Sequence, residues 1–347
     1  MKQAFRDILA AKPVDRRQVY ADATETWPTS AHFIEKDFLV CATLSVLFED
    51  VPDAAHKLVF KGGTSLSKAH NLIQRFSEDI DLVVVREELG FSGDRDPFNT
   101  DISGKRRQRL KDELRAEAAT FIAETIKPRL EAAFAPFGAN ISVDEEDPQT
   151  LLIAYQSALD DHLGYVDPIV KIEGGARSAT LPAHPAEVVP YTAAVLDELD
   201  LRVPHVQTID AERTFLDKLL ILHGRHCFFR DRGGVFREAK RESRHYYDLA
   251  MMADEIGPRA LGNAELLEDV IRHGSLGFAS AWMKFDEAAE GRLQIEPPTE
   301  VAAALRRDYT AMAGMILGEA PPFDWVMERI SAIARLYARR ANRLRAL

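Results

Sequence analysis

A short apolar strand, Lys57 to Phe60, breaks off at Gly62-Gly63 and gives way to helical character from Thr64 to Ile73. Further on, Asp79 to Val85 alternates and then turns wholly apolar, as a strand does when its start lies at a sheet rim and the rest crosses a core. This strand, glycine turn, helix and second strand require a sheet with helical cover, and they set Asp79 and Asp81 at the beginning of a strand.

The rest of the chain is organised around that unit. Residues 30 to 50 read as a helix, with Ile34, Phe38, Cys41, Ala42, Leu44 and Phe48 near helical spacing and Ser30 as N-cap. Residues 86 to 107 are polar and rich in Gly, Asp and Arg, so they read as a mobile excursion suited to a lid, before amphipathic helix resumes from Gln108 to Phe134. Leu151 to Ser157 and Ile169 to Glu173 read as strands able to pair antiparallel, separated by a stretch containing Asp160-Asp161-His162. From Asp210 onward the pattern is helical, through 210–224, 243–255, 265–273, 299–317 and 323–347, with Pro297-Pro298 as a break. The expected division is therefore a domain at 1–205 and a helical domain at 206–347.

With 347 residues, 46% of them hydrophobic, the chain can bury two modest cores. Cys41 and Cys227 lie far apart in apolar stretches, which excludes a cysteine metal knuckle and points to a reducing, cytoplasmic setting. Met1 to Arg17 carries charges throughout, so no signal peptide and no membrane association are expected. A net charge of −11 argues against a protein that coats nucleic acid, because phosphate binding needs a positive field.

In a strand, residues i and i+2 face one side, so Asp79 and Asp81 present two carboxylates to one point while Ile80 faces the core. Mg²⁺, or Mn²⁺, takes such oxygen ligands and fills its shell with water and substrate phosphates, which suits phosphoryl or nucleotidyl transfer. Gly62 and Gly63 let backbone N–H groups approach a polyphosphate, with Thr64 and Ser65 hydroxyls behind them and Lys61 and Lys68 adding charge. Asp79-Ile80-Asp81-Leu82-Val83 also satisfies the aspartyl-phosphatase pattern D-x-D-x-[TV]. That site needs an apolar strand before the motif, and here Gln74 to Glu78 are mostly polar.

Phe60-Lys61-Gly62-Gly63-Thr64-Ser65-Leu66-Ser67-Lys68, followed by Arg75-Phe76-Ser77-Glu78-Asp79-Ile80-Asp81-Leu82, resembles the AbiEii/AbiGii toxin family of nucleotidyltransferases, to which MenT-like toxins are related. The resemblance implies an α+β fold: an N-terminal polymerase-β-like nucleotidyltransferase domain, a small mixed sheet flanked by helices, then a C-terminal helical domain. It also implies a third acid on a neighbouring strand, for which Glu173 is the candidate, an ordinary strand-end glutamate being the plain alternative. Glu212 to Leu219 and Arg244 to Leu249 are similar to the family's later lysine and aspartate motifs, which implies catalytic roles for Lys218 and Asp248 in the cleft. Family chains carry Arg-Asp before the last apolar helix, whereas this one reads Arg244-His245-Tyr246-Tyr247-Asp248. Read from the residues alone, Asp248 would pair with Arg244 at i, i+4 and Lys218 would be a helix surface charge.

The activity implied is transfer of a nucleoside monophosphate from a nucleoside triphosphate to an RNA acceptor, a tRNA 3′ end, with release of pyrophosphate. The setting implied is a type IV, AbiE-like toxin–antitoxin system serving bacterial phage defence, with an antitoxin encoded nearby. A non-catalytic NTP- or RNA-binding module and a small-molecule nucleotidyltransferase of the aminoglycoside-modifying type stay open. Glu35-Lys36-Asp37 reads as a solvated face with one buried contact, and His223, His226 and Cys227 as structural helix residues rather than metal ligands. Lys105 to Lys111, the arginines 225, 230, 232 and 237, and the basic run from Arg335 to Arg343 are either phosphate contacts or solvated charge.

Overall fold

The computed structural model describes residues 1–49, 56–159, 167–233, 241–280 and 282–345, with side chains through residue 340. Asp160-Asp161-His162 and Arg237 lie outside the described residues. The chain divides into two compact units, one comprising Met1–Asn71 and Arg75–Ile209, the other Leu72–Gln74 and Asp210–Leu347. The expected α+β class holds, with the strands in the first unit and helices throughout the second.

The first unit opens with helices α1 (Gln3–Ala10), α2 (Pro13–Thr26) and α3 (Ala31–Glu49). Strand β1 (Leu58–Lys61) leads into α4 (Gly62–Lys68), then β2 (Asp79–Val84), α5 (Gly104–Phe121), a π turn (Ile122–Ile126), α6 (Lys127–Phe134) and strands β3 (Asn140–Val143), β4 (Thr150–Ala154), β5 (Ile169–Glu173), β6 (Ala183–Val188) and β7 (Val203–Ile209). Among the described residues these strands form one mixed sheet in the order β3-β4-β5-β2-β1-β7-β6. Strand β2 pairs antiparallel with β1 and parallel with β5, while β4 and β5 pair antiparallel as expected. Phe60, Ile80 and Leu82 are buried on the side opposite the aspartates, and α3 crosses the sheet against β5 and β7. Nearly every residue of α3 from Ile34 to Phe48 is buried, so each large side chain such as Phe38 or Leu44 contributes about 2 kcal/mol of apolar burial.

Two expected boundaries are corrected here. The helix after the glycine turn ends at Lys68 rather than near Ile73, and His70 beyond it is held through Nε2 to the Ile209 carbonyl at 2.8 Å. The polar segment ends at Ser103 rather than 107, where α5 begins, and it is internally engaged: Phe91 and Phe98 are buried, the Arg86 guanidinium lies 4.5 Å from the Phe98 ring centre, and Arg107 of α5 donates to the carbonyls of Pro97 and Asn99. Strand β7 carries the sheet on to Ile209, where the first unit ends.

The second unit contains α7 (Ala211–Arg232), α8 (Ser243–Met252), α9 (Gly257–Gly262), α10 (Ala264–Gly277), α11 (Phe285–Ala289), α12 (Thr299–Met312) and α13 (Phe323–Arg345). Helix α7 packs on α8, α9 and α10, and α8 packs on α12 and α13. Val326, Ile330, Ile333 and Tyr337 form a buried stripe on α13 at helical spacing, so Arg335 and Arg339 of the basic run lie on the outer side of a core helix. No described helix is long and apolar enough to cross a membrane.

Candidate active site

Strand β2 positions the two aspartates, and its neighbours decide what they face. Asp81 is in register with Lys61 of β1 and with Glu173 of β5, and Asp79 is in register with Lys171. Residues paired in register share a side of the sheet, so Asp79, Asp81, Glu173, Lys171 and Lys61 all project to one face. Lys61 Nζ lies 3.4 Å from Asp81 Oδ1, and Lys171 Nζ lies 2.7 Å from Glu173 Oε1. Lys171 was missed by sequence reasoning, although the alternation of Lys171-Ile172-Glu173 puts it on the side of Glu173.

The glycine turn meets this face directly. Gly62 has φ +82°, and a Cβ built there would lie 1.9 Å from Asp81 Oδ2, so any side chain must displace the carboxylate. A Cβ on Gly63 would lie 2.6 Å from the Arg75 guanidinium and 2.9 Å from Ser77 Oγ. Gly62→Ala is therefore expected to cost about 1–3 kcal/mol of stability through backbone strain and to disturb Asp81. Chemical denaturation checks the first effect, and divalent-cation titration of the folded variant the second.

The turn's hydroxyls are buried and engaged inside the unit. Thr64 Oγ1 donates to the Asp79 carbonyl, tying turn to strand, and Ser65 Oγ donates to the Gly62 carbonyl at 2.9 Å. Lys68 is buried as well, with its ammonium 2.8 Å from Asp37 Oδ1 and 3.7 Å from the centre of the Tyr191 ring. Burial opposes the Lys68 charge, but the Asp37 carboxylate outweighs it and raises the ammonium's pKa.

Glu35-Lys36-Asp37 is not a solvated face, since all three residues are buried and each holds a different segment. Glu35 accepts from Ser157 Oγ at 2.5 Å and Ala158 N at 2.7 Å. Lys36 donates to Glu78 at 2.8 Å and to the Asp167 carbonyl at 3.3 Å. Asp37 accepts from Tyr191 N at 2.7 Å besides pairing with Lys68.

Burial, and after it the charges of Glu78, Glu173 and Asp81, together push the Asp79 carboxyl up to about 6, with Lys171 opposing them. That surplus of negative charge around hard oxygen donors fits a divalent cation held by Asp79 and Asp81. Among the described residues no group of three His, Cys, Asp or Glu is gathered so as to hold an ion. Glu173, the expected third ligand, stands in register beside Asp81 with its carboxylate on Lys171.

In the second unit Lys218 of α7 and Asp248 of α8 meet at 2.9 Å, their side chains 8% and 0% exposed. The alternatives of an exposed lysine and an Arg244–Asp248 pair are thereby replaced by a buried interhelical ion pair. His223 and His226 bond the carbonyls of Lys284 and Glu296, consistent with structural roles. Arg225 and Arg230 are paired with Glu242 and Glu287, so neither presents free positive charge.

A family model described as nucleotidyl transferase AbiEii toxin, type IV TA system, matches residues 45–329, most of the chain. No curated protein matches the sequence. Among solved structures, MenT4, a nucleotidyltransferase toxin from Mycobacterium tuberculosis H37Rv, is similar over 94% of this chain and 92% of its own, with 16% identity and a TM-score of 0.49.

Proposed function

The chain belongs to the AbiEii family of nucleotidyl transferase toxins of type IV toxin–antitoxin systems, and from that membership we propose that it moves a nucleoside monophosphate from a nucleoside triphosphate to an RNA acceptor, a tRNA 3′ end, releasing pyrophosphate. The observation that carries this reading is the register of β2 between β1 and β5, which sets Asp79, Asp81 and Glu173 on one face with Gly62 against Asp81. Asp79 and Asp81 would hold Mg²⁺ or Mn²⁺, which supplies charge neutralisation at the transferring phosphate. The backbone N–H groups of Gly62 to Ser65 and the Lys61 ammonium face a triphosphate, and the acceptor hydroxyl attacks the α-phosphorus in line. From the second unit, the reading assigns Lys218 to the negative charge of the phosphates, with Asp248 orienting its ammonium. A cognate antitoxin is the partner that such a system entails.

The test is incubation with each labelled triphosphate and total tRNA, followed by RNA 3′-end sequencing. Labelled tRNA is expected with wild type, together with a loss of about 10²- to 10³-fold in Asp81→Ala, since removing a group that acts on transition-state charge costs that much. Full activity in folded Asp81→Ala would remove these carboxylates from the mechanism. The engagement of Glu173 with Lys171 favours a second reading, a module that binds NTP without turnover. Saturable Mg-NTP binding without pyrophosphate release would select it, and labelling of a small molecule instead of RNA would select the aminoglycoside-modifying type.

A further inference from the structure

Lys36 and Asp37 are neighbours on α3, and through them one helical turn grips both halves of the candidate site. Lys36 Nζ is 2.8 Å from Glu78 Oε2, and Glu78 immediately precedes Asp79. Glu78 lies just before β2 and reaches α3 through Lys36, so this contact holds the chain one residue ahead of Asp79. Asp37 reaches the other half, pairing at 2.8 Å with Lys68 at the end of the helix that begins at Gly62.

Resting on the nucleotidyl-transfer reading, we infer that Lys36 is a positioning residue for that reaction, which through Glu78 sets Asp79 against the glycine turn that Asp37 holds through Lys68. Stability alone does not account for the Lys36–Glu78 pair, whose lysine is buried and glutamate half-buried, because apolar groups of similar size often replace an ion pair taken out of water with no loss of stability. What the charged pair adds is direction. Lys36 donates to both Glu78 and the Asp167 carbonyl, a geometry that apolar packing does not reproduce. Glu78 also adds to the negative field at Asp79, and Lys36 sets a cation on that carboxylate.

The experiment compares Lys36→Met with Lys36→Met/Glu78→Met in the full chain, by urea unfolding, Mn²⁺ titration and transfer kinetics. Lys36→Met should lose stability, because the half-buried Glu78 carboxylate loses the ammonium that faces it at 2.8 Å. The double variant should regain the wild-type unfolding midpoint, yet bind Mn²⁺ about 10-fold more weakly and show kcat lowered by about 10- to 100-fold, the usual cost of losing an outer support of a metal site. The KM for the triphosphate should stay within about twofold, since the turn's own contacts are untouched. Recovery of stability, Mn²⁺ affinity and kcat together in the double variant would overturn the inference. Should the apolar pair fail to fold, Lys36→Gln/Glu78→Gln keeps a polar contact without charge, and the same comparison decides. Absence of transfer in the wild type would instead sink the nucleotidyl-transfer reading, with the Mn²⁺ and urea measurements still deciding whether Lys36 positions Asp79.

Discussion

Asp79→Asn is expected to melt several degrees above wild type at pH 8 in the absence of divalent cations, while losing transfer by about 10²- to 10³-fold. The stability gain follows from the Asp79 carboxyl, whose pKa in the folded protein is raised from 3.8 to about 6 by burial and by the charges of Glu78, Glu173 and Asp81. The folded chain therefore binds this proton more tightly than the unfolded chain. Above pH 6 both states are ionised and the folded state bears the full cost of the charge; below pH 3.8 both are protonated and the cost is gone. A shift of this size corresponds to roughly 3 kcal/mol, which partial exposure reduces to about 1–2 kcal/mol, or about 3–8 °C in Tm for a unit of this length. The advantage of asparagine should be complete above pH 6 and fade as pH falls toward 4. Mg²⁺ should raise the Tm of wild type and leave the variant nearly unmoved. An asparagine variant less stable than wild type at pH 8 would show that Asp79 is not held against surplus negative charge.

The same residues show how far sequence reasoning reaches. Asp79 and Asp81 were legible because strand alternation and the apolar stretch Leu82 to Val84 leave a single plausible side for them. Glu173 was legible as a candidate, but its placement beside Asp81 depends on which strands are neighbours, a long-range pairing that no local pattern contains. Lys171 came with that pairing. Strands β6 and β7 escaped because Pro185 and Pro204 interrupt them, and β6 lies at the sheet edge, where proline is tolerated.

Glu35-Lys36-Asp37 was misread for a different reason. Ile34, Phe38 and Cys41 suggest a one-sided helix, which would turn the three charges to solvent. Yet residues 38–48 contain no charged residue on any side, and a helix apolar all round is buried all round. Charges at the head of such a helix must find partners inside the fold, and Ser157, Glu78 and Lys68 are those partners. Lys68, read as a charge beside the phosphates, has its ammonium on Asp37; a lysine near a glycine turn looks free until its own counter-ion is known.

Lys218→Met should be among the most destabilising single changes in the second unit, by about 3–5 kcal/mol, because it leaves the fully buried Asp248 carboxylate without the ammonium that faces it at 2.9 Å. Asp248 lies in a stretch of α8, Tyr246 to Ala250, that is buried throughout, so solvent cannot take the place of the lysine. Lys218→Met/Asp248→Leu should recover most of that loss, since an apolar pair of similar volume satisfies the same space without a buried charge. Urea unfolding of the two variants measures both effects. If the pair were only a strut, transfer would return with stability in the double variant. The reading that gives Lys218 to the triphosphate requires the opposite, a double variant as stable as wild type with transfer still lowered by at least about 100-fold and a weakened response to triphosphate in thermal melts. A double variant that transfers at the wild-type rate would confine Lys218 and Asp248 to the architecture of the helical unit, leaving the carboxylate face of β2 and the Gly62 turn to act without them.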